Sequence, residues 1–294
     1  MSRRPAAILL VDASPYIFRA HFALPGSLVD RQGRSSNAVY GFGSFLLKLI
    51  DEERPTHLAV AFDGSLTTSF RNEIYPQYKQ HREPPPPDLE AQLEDCRTLT
   101  RALGAATFID DRFEADDLLA SLCLSLGDRA ATIVTSDKDL SQLVDERISW
   151  LDYGRQRRYG PAQVRERFGV EPRRIPDLLG LAGDPVDNIP GVRGVGTKTA
   201  VALLAYFGSL EEVCARSAEI PSLGLRGGGR IRRLIEEQRE MALMSKRLAT
   251  VARDAVIDTS LDDLRLAAPR HAVLDPLFER LGFDKLYQRI VGRR

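Results

Sequence analysis

Short apolar runs alternate with amphipathic stretches over the first half of the chain, the pattern of an α/β domain built round a mostly parallel central sheet with flanking helices. The apolar runs predict strands at 7–11, 58–62, 105–109, 132–135 and 148–151. Between the second and third, the stretch from Phe70 to Pro87 is aromatic and basic and ends in four consecutive prolines, Pro84 to Pro87, which break any helix. A helix is then expected from Asp88, as N-cap, to Leu103, with Gly104 ending it. After Tyr153 the pattern predicts no further strand and reads as helical to about residue 255, with turns at 183–196 and 224–229. A mixed tail follows and closes on a helix-like run from Leu274 to Val291. The expected organisation is an α/β core over 1–175, a helical region over 176–255 and an extension over 256–294.

Acidic residues stand directly after the strands: Asp12, Asp63, the stretch 110–117, and Asp137 with Asp139. Ligands of open α/β sheets sit outside the carboxyl ends of the strands, so acids distant in sequence converge on one edge. Taken singly, each group has a plain structural reading. Glu114, Asp116 and Asp117 suit a helix start, where the macrodipole favours negative charge. Asp137 or Asp139 suits a helix cap, and Asp184 with Asp187, set between Gly183 and Gly191, suits an Asp-rich turn. Together they place nine carboxylates in one expected cleft, a density that is costly unless cations neutralise it. Oxygen donors without an accompanying His or Cys set select hard cations, so magnesium or manganese is expected rather than zinc. Two such ions could activate water and stabilise the leaving oxygen of a phosphodiester.

The glycines of Ile189 to Ala200, at positions 191, 194 and 196, let backbone approach a phosphate, and Lys198 on the following helix adds positive potential. This is the logic of a helix-hairpin-helix. A nucleotide P-loop needs Gly-Lys-Ser/Thr, and here Thr197 separates Gly196 from Lys198. Tyr78, Lys79 and Arg82 combine a stacking ring with cations, which suits a single strand, although packing of a surface loop is the competing reading. The stretch 155–174 holds seven arginines against Glu166 and Glu171, a solvated helix face or a phosphate-contacting surface.

Composition changes this picture little. Lys+Arg and Asp+Glu both total 41 in 294 residues, so attraction to nucleic acid must come from segregated charge. The three cysteines, Cys96, Cys123 and Cys214, lack metal-ligand spacing and read as reduced thiols. The apolar run near the start is too short for a signal segment, and no stretch approaches the length of a membrane span, so a soluble, cytoplasmic protein without membrane contact is expected.

With these motifs the chain resembles the 5′-3′ exonuclease and flap endonuclease family, in particular the N-terminal 5′ nuclease domain of bacterial DNA polymerase I and its free-standing relatives. The resemblance runs from Ile8 to Asp254 on Val11-Asp12, Phe62-Asp63, Glu114 to Asp117, Asp137 to Asp139, and Gly183 through Ala200. It implies a PIN-like core and a magnesium-dependent enzyme with two ions, one held around Asp12, Asp63, Glu114, Asp116 and Asp117. The other would be held around Asp137, Asp139, Asp184 and Asp187. It also implies a helical arch around 70–103, with Tyr78, Lys79 and Arg82 at its base, and phosphate contacts from Arg19 and Arg71. Lys79, Arg82 and Arg19 are the expected catalytic cations. The hairpin of Gly191, Gly194, Gly196 and Lys198 would hold duplex DNA, with potassium on its backbone carbonyls. The implied substrate is DNA with a 5′ end or 5′ flap, including RNA primers on DNA, cut by a monomer in replication or repair. Nothing after residue 255 is long enough for a polymerase, so a nuclease acting as a separate protein is expected, with recruitment by a polymerase or clamp left open. A DNA-binding protein without catalysis and a nuclease directed at the RNA of hybrids are the rival readings.

Overall fold

The computed structural model describes residues 7–65 and 68–291. Its sheet has six strands, β1 (Ile8–Asp12), β2 (His57–Asp63), β3 (Ala106–Asp110), β4 (Ala131–Val134), β5 (Ile148–Asp152) and β6 (Arg157–Tyr159), in the order β3-β2-β1-β4-β5-β6. All pairings are parallel except β5 with β6. The expectation that strands end near Tyr153 is corrected by β6: Arg157-Arg158-Tyr159 is too short and too charged to show apolar alternation, and only its pairing with Leu151 and its neighbours makes it a strand.

The strands are placed by side-chain alternation. Leu9, Val11, Leu58 and Val60 face one apolar core, while Ile8, Leu10, Ala59 and Ala61 face another, the period-2 signature of a sheet covered on both sides. Helices α1 (Ser14–Ala23), α2 (Asn37–Glu53) and α4 (Pro87–Ala102) cover the first face, and α5 (Ala115–Ser125) covers the second. The short helix α3 (Phe70–Ile74) and turns at 76–82 connect β2 to the prolines, and α4 begins at Pro87 with Pro86 as its N-cap, two residues ahead of the cap expected at Asp88. Over 70–103 the longest helix, α4, lies against the core through Leu89, Cys96 and Leu99.

The second half forms a separate core from α6 (Pro161–Phe168), α7 (Ile175–Ala182), α8 (Thr197–Phe207), α9 (Leu210–Ala215), α10 (Gly228–Glu237) and α11 (Arg239–Ala249). The closing run divides at Gly282, whose φ of 70° ends α12 (His271–Leu281) before α13 (Asp284–Val291) begins. Helix α12 packs against α4, and α13 packs against α2 and α12. No helix among the described residues is long and apolar enough to cross a membrane.

Candidate active site

Strand order reverses between β1 and β4, and the acids gather at the carboxyl ends of these strands, as the topology of an open sheet requires. Asp12 and Asp63 end the adjacent strands β1 and β2. Ser14 Oγ donates to Asp63 Oδ2 at 2.6 Å, and the backbone N–H of Ala115, in the first turn of α5, donates to Asp63 Oδ1 at 2.8 Å. Across the switch point, Thr135 Oγ1 donates to Asp12 Oδ2 at 2.7 Å and accepts from the Asp137 N–H at 2.9 Å. The Asp139 N–H then donates to Asp137 Oδ1 at 2.8 Å. Ser14 and Thr135, which sequence reasoning passed over, are thus the residues that aim the acids. Their only signal is position, just past the ends of β1 and β4.

Asp12, Asp63, Glu114, Asp116 and Asp137 line one cavity of about 590 Å³ together with Lys79 and Arg82. Repulsion there is strong. Burial and then Asp137 and Asp12 push the Asp116 carboxyl well above the usual carboxylate range, and burial and then Asp63 do the same to Asp12. Burial and Glu114 raise Asp63 against the pull of Ala115 and Ser14, and burial raises Asp137. Burial alone would raise Glu114, but Lys79 and Arg71 outweigh it and hold that carboxyl low.

The remaining acids stand behind cations. Lys138 Nζ lies 2.5 Å from Asp184 Oδ2 and 3.2 Å from Asp139 Oδ1. Asp139 Oδ1 is buried with Lys138 Nζ beside it, and burial followed by Asp137 lifts this carboxyl to about 7. Asp187 accepts from Arg82 Nη2 at 2.5 Å and from the Tyr78 hydroxyl at 3.1 Å. Lys79 Nζ joins the two groups, 2.8 Å from Glu114 and 3.7 Å from Asp187.

Three expected roles do not fit. Arg71 is 2% exposed, too buried to meet DNA. Its guanidinium donates to both oxygens of Asp117 at 2.8 Å, while Asp117 also accepts from the N–H groups of Glu114 and Ala252. Four donors saturate that carboxylate, so Asp117 is no free metal ligand here, and the pair instead fixes the start of α5. Arg19, expected to act at the scissile phosphate, lines a different cavity beside Tyr16, Lys48, Tyr153 and Gly154.

The hairpin between α7 and α8 is closed by reciprocal backbone bonds of 2.8 Å between Asp184 and Ile189. Gly191 is buried at φ 60°, and a Cβ there would overlap the backbone of Gly183. Its need for glycine is internal packing, which corrects the expectation of phosphate contact at that position. Gly194, Gly196 and Lys198 are exposed, with Gly196 capping α8.

Among the described residues no three acidic, His or Cys side chains stand as a preformed metal-binding group. The donor set nevertheless suits hard cations. The cavity offers only oxygen ligands, and burial together with neighbouring carboxylates disfavours the charged forms of Asp12 and Asp116, a cost that a divalent ion would relieve.

Family models match almost the whole chain: the 5′-3′ exonuclease N-terminal resolvase-like domain over residues 7–169 and the 5′-3′ exonuclease C-terminal SAM fold over 170–272. DNA polymerase I of Bacillus caldotenax is 39% identical over 290 residues, which are 96% of this chain and 32% of that protein. DNA polymerase I of Pseudomonas aeruginosa is 40% identical over 286 residues, covering 96% and 31%. The chain thus spans about a third of the length of these relatives. Among solved structures, T5 5′-exonuclease with bound zinc superposes with a TM-score of 0.66 at 20% identity, covering 97% of each chain. The catalytic core of Rad2 in complex with DNA substrate superposes at 0.65 and 18% identity, covering 98% of this chain and 92% of that one. At those identities the likeness shows a shared 5′ nuclease fold. The family models and the polymerase relatives carry the stronger statement: this chain belongs to the 5′-3′ exonuclease family.

Proposed function

We propose that the protein hydrolyses phosphodiester bonds of DNA at 5′ ends and 5′ flaps, with magnesium as its cofactor and manganese as a substitute. The observation that carries this reading is the cavity whose walls combine Asp12, Asp63, Glu114, Asp116 and Asp137 with Lys79 and Arg82. A phosphate needs cations to enter, and a cluster of acids needs cations to persist, so divalent ions between the two satisfy both. Asp12, Asp63, Asp116 and Asp137 would hold them, with Glu114, Asp139, Asp184 and Asp187 acting through bound water. Held there, two magnesium ions would supply activation of water and neutralisation of charge on the leaving oxygen.

The chain's own residues do the positioning. Ser14 and Thr135 fix the rotamers of Asp63 and Asp12. Lys79 and Arg82 are paired with Glu114 and Asp187, close enough to turn toward an incoming phosphate when the acids take up metal. Phe18, Phe22 and Val186 give the same cavity an apolar wall suited to a base or sugar. Gly194, Gly196 and Lys198 would grip the duplex beyond the cleft, with a potassium ion on the hairpin carbonyls. A monomer acting in DNA replication or repair in the cytoplasm follows from this reading, and an RNA primer on DNA remains within its substrate range.

The test is release of the 5′ fragment from a 5′-labelled flap duplex with magnesium, with EDTA as control and Asp116→Ala and Asp137→Ala as variants. We expect product only with metal, and losses in both variants beyond the ~10–100-fold typical of a supporting residue. Tight flap binding without product in magnesium or manganese would overturn the reading in favour of a non-catalytic DNA-binding protein.

A further inference from the structure

The arginine-rich stretch after residue 155 has no part in the cavity just described. It forms a second concavity of about 620 Å³ on the far edge of the sheet, lined by Arg155, Arg157 and Arg158 around β6, by Arg167 of α6, and by Tyr159 and Glu166 among others. We propose that this surface is a second DNA-backbone site, holding phosphates of the substrate's duplex arm away from the cut; the proposal rests on the nuclease reading.

Four observations support it. First, place: β6 runs antiparallel to β5 with Arg157 opposite Asp152, so Arg155 and Arg157 lie at the carboxyl edge, the edge that carries Asp12 and Asp63. Second, charge: Arg157 has no ion pair among the described residues, and Arg167 has no carboxylate partner among them either. Third, preparation: Arg167 is held over Trp150, Tyr159 and Phe168 at 5.0, 5.1 and 5.1 Å and donates to the Tyr159 hydroxyl at 2.7 Å. An arginine so braced loses little side-chain entropy on meeting a phosphate. Fourth, the alternative falls short. Charge on an edge strand guards against edge-to-edge pairing, which accounts for Arg157 and Arg158. It does not account for Arg167, which comes from a helix and meets them across a hollow. Arg155 and Arg158 are partly neutralised by Asp152 and Glu53, so the free charge centres on Arg157 and Arg167.

Distance gives the proposal its specificity. Strands are spaced about 4.8 Å apart, so β6 stands roughly 14 Å from β1, about four base-pair steps along a duplex at ~3.4 Å each. An arm shorter than about four base pairs cannot reach the site.

Binding of fluorescent duplexes with flaps, with arms of two to twelve base pairs, measured in EDTA so that nothing is cut, tests this. The parent protein should gain affinity once the arm exceeds about four base pairs. Arg157→Gln and Arg167→Gln should each lose that gain, weaken long-arm binding about 5–10-fold at low salt, and reduce the slope of log affinity against log salt by about one. Cleavage of a short-armed flap in magnesium should stay at the parent level in Arg157→Gln, whose side chain has no ion-pair partner among the described residues to disturb. Equal binding of all arms by the parent and both variants would overturn the proposal. So would an equal loss on short and long arms, or a loss in Arg167→Gln alone accompanied by a lower melting temperature, which would mark a packing role under Trp150. Because binding is read without metal, a failure of the catalytic reading leaves this outcome separately visible.

Discussion

At the scale of single residues, the acids divide into those in tension and those at rest. Asp12, Asp63, Asp116, Asp137 and Asp139 are all pushed above the ordinary carboxylate value, chiefly by burial and by one another, with Asp139 at about 7. A raised native value means the folded protein holds more protons than the unfolded chain above about pH 4, so the stability these groups contribute is present at low pH and lost as pH rises through their native values. The metal-free protein should therefore lose stability from about pH 5 to pH 8, and magnesium should flatten that fall by replacing the protons. Urea titrations at several pH values, with EDTA or magnesium, would show it; a metal-free protein that grows more stable over that range would contradict the assignment. By the same logic Asp116→Asn should abolish cleavage while raising the melting temperature in EDTA by about 2–4 °C, equivalent to a gain of ~1 kcal/mol. Asp117→Asn should do the opposite to stability. It takes the bidentate partner from the buried Arg71 guanidinium and leaves it Glu114 at 3.2 Å, so the loss should stay below the ~3–5 kcal/mol of a fully broken buried pair. Sequence alone separated neither case, because Glu114-Ala115-Asp116-Asp117 reads as one acidic run. Only the helix start turns Asp116 into the cleft and Asp117 toward Arg71.

The legibility of whole elements followed their chemistry. The five parallel strands and the helix before Gly104 were readable because apolar periodicity and proline or glycine punctuation point the same way there. Strand β6 was not, since its stability lies in pairing rather than pattern. The hairpin between α7 and α8 was readable as a motif but not in the division of labour among its glycines. Gly191 has φ 60° and touches Gly183, whereas Gly196 has an ordinary φ of −90° and open space where a Cβ would stand. Gly191→Ala should therefore destabilise the fold by about 1–3 kcal/mol, the range for strained backbone. Gly196→Ala should leave stability within ~0.5 kcal/mol and weaken only duplex binding, by crowding the phosphate approach. Chemical denaturation and duplex affinity measured on both variants separate the two roles, and matching losses of stability would refute the distinction.

At the scale of the whole molecule, the C-terminal family model ends before the fold does. The C-terminal family model stops at residue 272, but α12 and α13 continue the first core. Leu274, Leu277, Phe278, Leu281, Leu286 and Ile290 are buried against α2 and α4. Arg280 reinforces this from the rim, with Nη2 donating to Asp95 on α4 at 2.5 Å and its carbonyl accepting from the Arg31 N–H at 3.1 Å. The tail had no functional signature in sequence because its work is to cover apolar surface, which any amphipathic helix can do. Burial of one such side chain contributes roughly 1.5–3 kcal/mol, so six contribute about 9–18 kcal/mol before the entropy of ordering two helices is subtracted, as much as the ~5–15 kcal/mol by which a folded protein is stable at all. Ending the chain after Pro269 should thus leave a protein with native-like helix content but lost near-ultraviolet dichroism, strong binding of a hydrophobic dye, and no metal-dependent cleavage, because α2 and α4 back the strands that carry Asp12 and Asp63. Arg280→Ala, which removes only the rim contact, should cost about 1–3 kcal/mol and keep cleavage. A truncated protein that melts cooperatively near the parent temperature would show that the second half and the sheet suffice, and that the extension is an appendage rather than part of the core.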